Sequence, residues 1–341
     1  MAHPDPVSPV SPIPQPDATT LSRGYMIALI SSVILSTTAI FIRYLVDTYA
    51  MPSFVLAFWR DLLVMLTLLI VLSVRRRDLL RVDVVHLRYL FLYGGVLAIF
   101  NALWTISVAL NGAAVSTVLV YSSAAFTAIL GWWLLNEVLD WTRFLAIALS
   151  FGGCILVAAA LDAAAWRANF VGIVVGIVSG LSYAVYSLMG RSAAQRGLNP
   201  WTTLLYIFAF AAIFLLIFNF LPLGQPAGTQ VRTQISSPDV FWLGASIKGW
   251  LVLFLLAAGP TLTGYGLYNV SLTYLPSGVA NLIVSLEPAF TALIAYAVFN
   301  ERLSGEQLLG CVMILAGVIV LRGGASFQMR RRAAREKAAV V

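Results

Sequence analysis

Charge is scarce in this chain. Only 10% of its 341 residues are Asp, Glu, Lys or Arg, against about 25% in an ordinary soluble domain. With 60% hydrophobic residues and a mean hydropathy of +0.91, that scarcity excludes a water-soluble fold and leaves a chain embedded in a lipid bilayer. Histidine is nearly absent: His3 and His86 are the only two. There is also no His-Glu-x-x-His, no Gly-x-Ser-x-Gly and no phosphate loop ending in Gly-Lys. A membrane-embedded enzyme therefore lacks a reactive set, and direct ATP drive lacks a nucleotide site. The expectation is a non-enzyme with no cofactor. Rings of like charge and carbonyl filters, which a channel would want, are also missing. The two cysteines, Cys154 and Cys311, lie in apolar segments and read as small packing residues, not as a disulfide or metal pair. Met1–Ser22 carries six prolines but no basic and then apolar run. It is no signal peptide, and residues 1–22 read as a disordered cytoplasmic tail.

What is present is a duplication. Ala125–Leu139 and Ala289–Leu303 share Ala-Phe-Thr-Ala at their starts and Asn-Glu-x-Leu at their ends, at a shift of 164 residues. In the same register Ser107 falls on Ser271, Val115 on Val279 and Gly153 on Gly317. A second register, of 148, pairs Gly24 with Gly172, Ser31 with Ser179, Arg43 with Arg191 and Pro52 with Pro200. The polar stretch Pro222–Lys248 absorbs the difference. Such repeats decide the architecture before any local reading.

Apolar runs long enough to cross about 30 Å of hydrocarbon occur near Gly24–Val46, Phe54–Val74, Leu87–Leu110, Ala113–Leu135 and Trp141–Leu161. The second half supplies Phe170–Gly190, Trp201–Leu221, Gly249–Tyr274, Ser277–Phe299 and Gln307–Leu321. The expected fold is an all-α polytopic membrane protein of ten transmembrane helices. Residues 23–165 and 166–322 form two five-helix repeats, 222–248 an extracytoplasmic loop and 323–341 a basic cytoplasmic tail. Turns as short as Asn111-Gly112 and Leu275-Pro276 imply antiparallel hairpins. With a cytoplasmic N-terminus, that side receives 15 Lys and Arg and the other side 6. The +7 net charge thus follows from topology rather than from a nucleic-acid partner. Both termini face the cytoplasm of a cell inner (plasma) membrane. Five is odd, so the second repeat enters inverted, as in secondary transporters whose substrate site lies where the halves meet. The oligomeric state stays open, a monomer included.

The 164 register pairs Asn101 with Tyr265, Trp104 with Tyr268 and Thr105 with Asn269, each set on one helix face. Thr117 pairs with Asn281 and Tyr121 with Ser285. A face polar in both repeats is unsuited to lipid. It either lines a cavity for a small amino acid or metabolite, or joins helix to helix. The cavity reading takes Asn101, Trp104, Tyr121, Tyr183, Tyr265, Tyr268, Asn269 and Asn281 as substrate-binding, with Tyr186 further along the helix of Tyr183. Glu287 sits about 15 Å into its span at 1.5 Å per residue. It is a functional candidate for coupling or gating by its depth, or else a carboxyl serving backbone freed by Pro288. Arg60 and Asp61 are adjacent, so on a helix they do not face each other and need other partners. Arg60 either joins a structural network or meets a substrate carboxylate. Gly172, Gly176 and Gly180 form a ridge for close helix packing. Arg43 and Asp47, four apart, form an interfacial pair.

Leu286-Glu287-Pro288-Ala289-Phe290, running on to Asn300-Glu301-Arg302-Leu303, resembles the drug/metabolite transporter superfamily, specifically its EamA-type permeases. The resemblance covers about Gly24 to Arg322. In the first half Ser123-Ala124 stands where the proline is expected, which leaves that helix straighter. The resemblance implies ten helices and export of small metabolites, commonly amino acids. The pattern is similar to the YddG-type aromatic amino acid exporters. On motif, only Glu287-Pro288 and the Asn-Glu-x-Leu positions carry over.

Overall fold

A backbone in hydrocarbon must satisfy its own N–H and C=O groups, and apolar runs of about 20 residues do so as helices. The structure, a computed structural model, describes residues 18–135, 140–157, 170–221, 240–299, 304–306, 308–317 and 319–320. Among the described residues the regular elements are all helical and no strand occurs. Residues 1–17 and 321–341, the Thr117 side chain, most of the 222–248 loop and the Asn136-Glu137 and Asn300-Glu301 turns lie outside what is described.

The first half comprises α1 (Ala18–Leu35), α2 (Thr38–Tyr49), α3 (Ser53–Arg75), α4 (Val84–Tyr121), α5 (Ser123–Leu135) and α6 (Trp141–Val157). The second comprises α7 (Phe170–Gln195), α8 (Pro200–Phe220), α9 (Ile247–Leu256), a π-helical turn (Ala257–Gly264), α10 (Tyr265–Tyr274), α11 (Ser277–Val284) and α12 (Glu287–Phe299). The apolar helix Leu308–Gly317 follows as α13. Among the described residues six helices are long and apolar enough to cross a membrane: Thr19–Tyr49, Ser53–Arg75, Val84–Leu110, Phe170–Gln195, Pro200–Phe220 and Ile247–Tyr274.

The α4 run is not straight. Ser107 Oγ donates to Ser116 Oγ at 3.0 Å, whereas nine residues of straight helix would separate them by about 13 Å. The chain therefore doubles back between Ser107 and Ser116. The return arm then breaks at Ser122, whose Oγ bonds the Leu119 carbonyl at 2.7 Å. The second half breaks at Ser285-Leu286, between α11 and α12. Starts at Ser123 and Glu287 lie 164 apart, so the break obeys the repeat register. The expectation of a straighter helix without proline is corrected here, because a serine hydroxyl competing for the preceding turn interrupts the ladder instead. The first span is likewise bent between α1 and α2, where Ser36 Oγ and Thr37 Oγ1 bond the carbonyls of Val33 and Ile34 at 2.6 and 2.8 Å. In the π turn, Pro260 has no N–H to give, and Thr261 Oγ1 satisfies the Leu256 carbonyl at 2.8 Å. These are the ordinary causes of helix kinks.

The halves interlock by exchanging their first helices. α1 packs on α10, the π turn and α11 of the second half, while α7 packs on α4 and α5 of the first. Small residues make both exchanges close. Gly24, Ala28, Ser31 and Ser32 of α1 are buried, and so are Gly172, Gly176, Ser179 and Gly180 of α7, the same four positions at a shift of 148. A Cβ on Gly180 would meet Ser122 Oγ at 2.5 Å and the Leu119 carbonyl oxygen at 3.0 Å. Ser31 Oγ donates to the Gly264 carbonyl at 2.8 Å. Van der Waals approach of this kind is what holds helices together where lipid removes the hydrophobic driving force. The opposite faces, such as Met26, Ile30 and Val33 on α1, are apolar and exposed, as a lipid-facing surface requires. At one end Asn199 caps α8 through its side chain, which accepts from the Trp201 N–H at 2.9 Å.

Candidate substrate cavity

Where the kinks of α1–α2, α4–α5 and α11–α12 come level with the π turn, helix faces part and leave a cavity. Its wall is Leu35, Thr38, Phe100, Trp104, Val120, Tyr121, Tyr183, Tyr265 and Glu287, and the room for water-sized centres within it is small, about 30 Å³. Each kink puts a residue there: Leu35 and Thr38 flank the first, Tyr121 precedes the second, Glu287 follows the third, and Tyr265 follows the π turn. Both halves contribute. Tyr121 Oη donates to Glu287 Oε2 at 2.5 Å across the seam. The Phe100 ring lies 4.9 Å from that of Tyr183, which in turn stacks on Tyr268 at 5.8 Å.

The residues proposed from symmetry divide into three groups. Trp104, Tyr121, Tyr183 and Tyr265 line the cavity together with Glu287. Asn101 sits behind it, donating through Nδ2 to Asp61 Oδ2 at 2.6 Å. Tyr268, Asn269 and Asn281 join helices. Tyr268 Oη donates to Ser187 Oγ at 2.7 Å. Asn269 Nδ2 donates to Tyr186 Oη at 2.6 Å and to the Tyr265 carbonyl at 2.9 Å, and its Oδ1 accepts from Tyr93 Oη at 3.3 Å. Asn281 Nδ2 donates to Thr127 Oγ1 at 2.7 Å, fastening α11 to α5. Pro288 stands in the first turn of α12, where a missing N–H costs nothing.

Arg60 and Asp61 are 1% and 0% exposed on their side chains and meet after all, Arg60 Nε to Asp61 Oδ1 at 3.3 Å. Burial draws the two charges together despite their adjacency, because neither finds water. The Arg60 guanidinium also lies 5.8 Å from the Trp104 ring centroid, and Arg60 is not among the residues that line the cavity. Four buried polar atoms here have no partner among the described residues: Thr38 Oγ1, Arg60 Nη2, Asn101 Oδ1 and Trp104 Nε1. Native interiors rarely leave such atoms unpaired, and two of their residues, Thr38 and Trp104, are on the cavity wall.

Phe100, Leu35 and Thr38 escaped the symmetry reading. Phe100 has Gly264 at its paired position, so nothing aromatic flagged it, although it lies one turn before Trp104. The other two were recoverable from the 148 register, which sets Leu35 on Tyr183 and Thr38 on Tyr186.

A profile of the EamA-like transporter family matches residues 22–159 and again residues 170–323. The chain is 30% identical over 149 residues to an uncharacterized transporter of Archaeoglobus fulgidus, covering 44% of this chain and 47% of that one. It is 26% identical over 232 residues to an uncharacterized transporter of Synechocystis sp., covering 67% of this chain and 64% of that one. The chain thus spans about half to two-thirds of the length of these relatives. A protein solved by crystallography shares the fold at a TM-score of 0.66 and 17% identity, over 88% of this chain and 96% of the other.

Proposed function

The chain belongs to the EamA-like transporter family, and on that premise we propose that it exports amino acids, aromatic or otherwise apolar, and related small metabolites across the inner membrane by alternating access. The observation that carries this reading is the position of the cavity: residues from both matched regions line it, Trp104 and Tyr121 from the first and Tyr183, Tyr265 and Glu287 from the second. A site at the seam of two repeats is where rocking of one against the other changes its access. In this reading the ten spans form two inverted five-helix repeats with both termini in the cytoplasm. The hairpin within α4, the exchange of α1 and α7 and the matched breaks at Ser122 and Ser285-Leu286 support that arrangement. The YddG-type resemblance and the aromatic wall favour an aromatic cargo.

The test is efflux from proteoliposomes preloaded with amino acids. We expect wild-type efflux, and a drop of about tenfold or more for Tyr265→Ala, since one aromatic contact and its apolar area amount to about 1.4 kcal/mol. Asn101→Ala should slow efflux less, because Asn101 acts through Asp61. Equal rates for all three proteins would remove the cavity assignment. Absence of amino acid efflux, with movement of other drugs or metabolites, would shift the cargo to that wider class.

A further inference from the structure

The cavity wall has one carboxyl, Glu287, and no Lys, Arg or His. Glu287 faces the empty space at 8% exposure, and the partner it shows is the Tyr121 hydroxyl. The ion pairs among the described residues are Arg43–Asp47, Arg60–Asp61 and Arg76–Asp78, so none involves Glu287. The buried cation in the neighbourhood, Arg60, pairs with Asp61, lies 5.8 Å from the Trp104 ring and is not among the wall residues. Around Glu287 the wall is mostly ring: Phe100, Trp104, Tyr121, Tyr183 and Tyr265. Aromatic faces carry negative potential and attract a cation placed over them, most strongly where water is excluded. A carboxyl among five rings suits an ammonium group and repels a carboxylate.

Resting on the transporter reading above, we propose that this cavity recognises its cargo by a protonated amino group, held against Glu287 and boxed by Trp104, Tyr121, Tyr183 and Tyr265. The carboxylate of an amino acid then turns away from Glu287. Arg60 does not bind it. Its guanidinium compensates Asp61 and backs the indole.

Three probes sharing one ring and chain separate the ends of the molecule: phenethylamine, L-phenylalanine and 3-phenylpropionate. Binding to the purified full-length protein in detergent is read from tryptophan fluorescence, with a thermal melt to check that each variant is folded. We expect phenethylamine and L-phenylalanine to bind at least about tenfold more tightly than 3-phenylpropionate. Glu287→Gln should abolish that preference and Glu287→Asp should keep it. The idea is overturned if 3-phenylpropionate binds wild type as well as the amine does, if the preference survives Glu287→Gln, or if no probe binds. Should Glu287→Gln fail to fold, the wild-type selectivity alone decides. The two readings fail separately. Amino acid efflux without amine preference removes this inference and leaves the transporter, whereas amine-selective binding without any efflux does the reverse.

Discussion

Two clusters of polar aromatic residues lie side by side within the bundle, and they are built for different tasks. One is the cavity wall of Trp104, Tyr121, Tyr183, Tyr265 and Glu287. The other is the knot of Tyr93, Tyr186, Tyr268, Asn269 and Ser187. Their composition is nearly the same, and Tyr183 and Tyr186 come from one helix with rings 5.8 Å apart. The difference is saturation. In the knot, Asn269 has both its amide nitrogen and its oxygen engaged, and a Cβ on Gly190 would meet Tyr93 Oη at 2.8 Å and Asn269 Oδ1 at 3.2 Å. On the wall, Trp104 Nε1 and Thr38 Oγ1 have nothing to bond among the described residues, although both residues line the cavity.

That contrast is sharpened first by the pair behind the wall, where the largest effect is expected. Arg60→Met leaves the Asp61 carboxylate buried with Asn101 as its remaining partner, and should cost about 3–5 kcal/mol of stability. The double variant Arg60→Met, Asp61→Leu should regain most of it. Melting in detergent checks this, and a single variant as stable as wild type would show that the two charges do not compensate each other.

The next effect sets knot against wall. Asn269→Ala takes one hydrogen-bond partner each from the Tyr93 and Tyr186 hydroxyls and should lose about 1–3 kcal/mol, yet the folded fraction should still bind phenethylamine. Tyr265→Ala should do the opposite, with weaker binding and a melt that falls less. If Asn269→Ala loses binding while its melt is unchanged, the division between the clusters is wrong.

The smallest effect lies outside both. The Arg76 guanidinium, hydrogen-bonded to Asp78, holds its carboxyl below the usual carboxylate range. A depressed carboxyl contributes stability above its unfolded pKa and loses it as pH falls through the folded value. The pair is exposed, however, with side chains 62% accessible on each side, and such pairs are screened by water and salt. Arg76→Ala should leave the melting temperature unchanged at neutral pH, and a clear drop would mean the 77–80 turn has a larger structural part.

Much of the candidate site was legible because a repeat is a symmetry statement. Trp104 and Tyr265 emerged from pairing positions 164 apart, and the depth of Glu287 followed from counting residues into an apolar run. Periodicity could name the face carrying Tyr268, Asn269 and Asn281, but not what that face meets. The partners of Asn269 and Asn281 lie 83 and 154 residues away, and only packing reveals that those amides are already satisfied. Arg60 and Asp61 misled for the same reason, since helix geometry separates neighbours while burial brings their flexible ends together.

By itself the sequence determined the solvent and the period: lipid around helices of about 20 residues, laid down twice, with small residues at matched positions on α1 and α7. Those follow from composition and spacing, which are properties of the chain alone. The tertiary structure decided which polar groups are spent on one another and which residues come together on the cavity wall. That choice depends on where kinks at Ser36-Thr37, Ser122 and Ser285-Leu286 bring distant helices, because hydrogen bonding is a matter of ångströms between residues the sequence sets far apart.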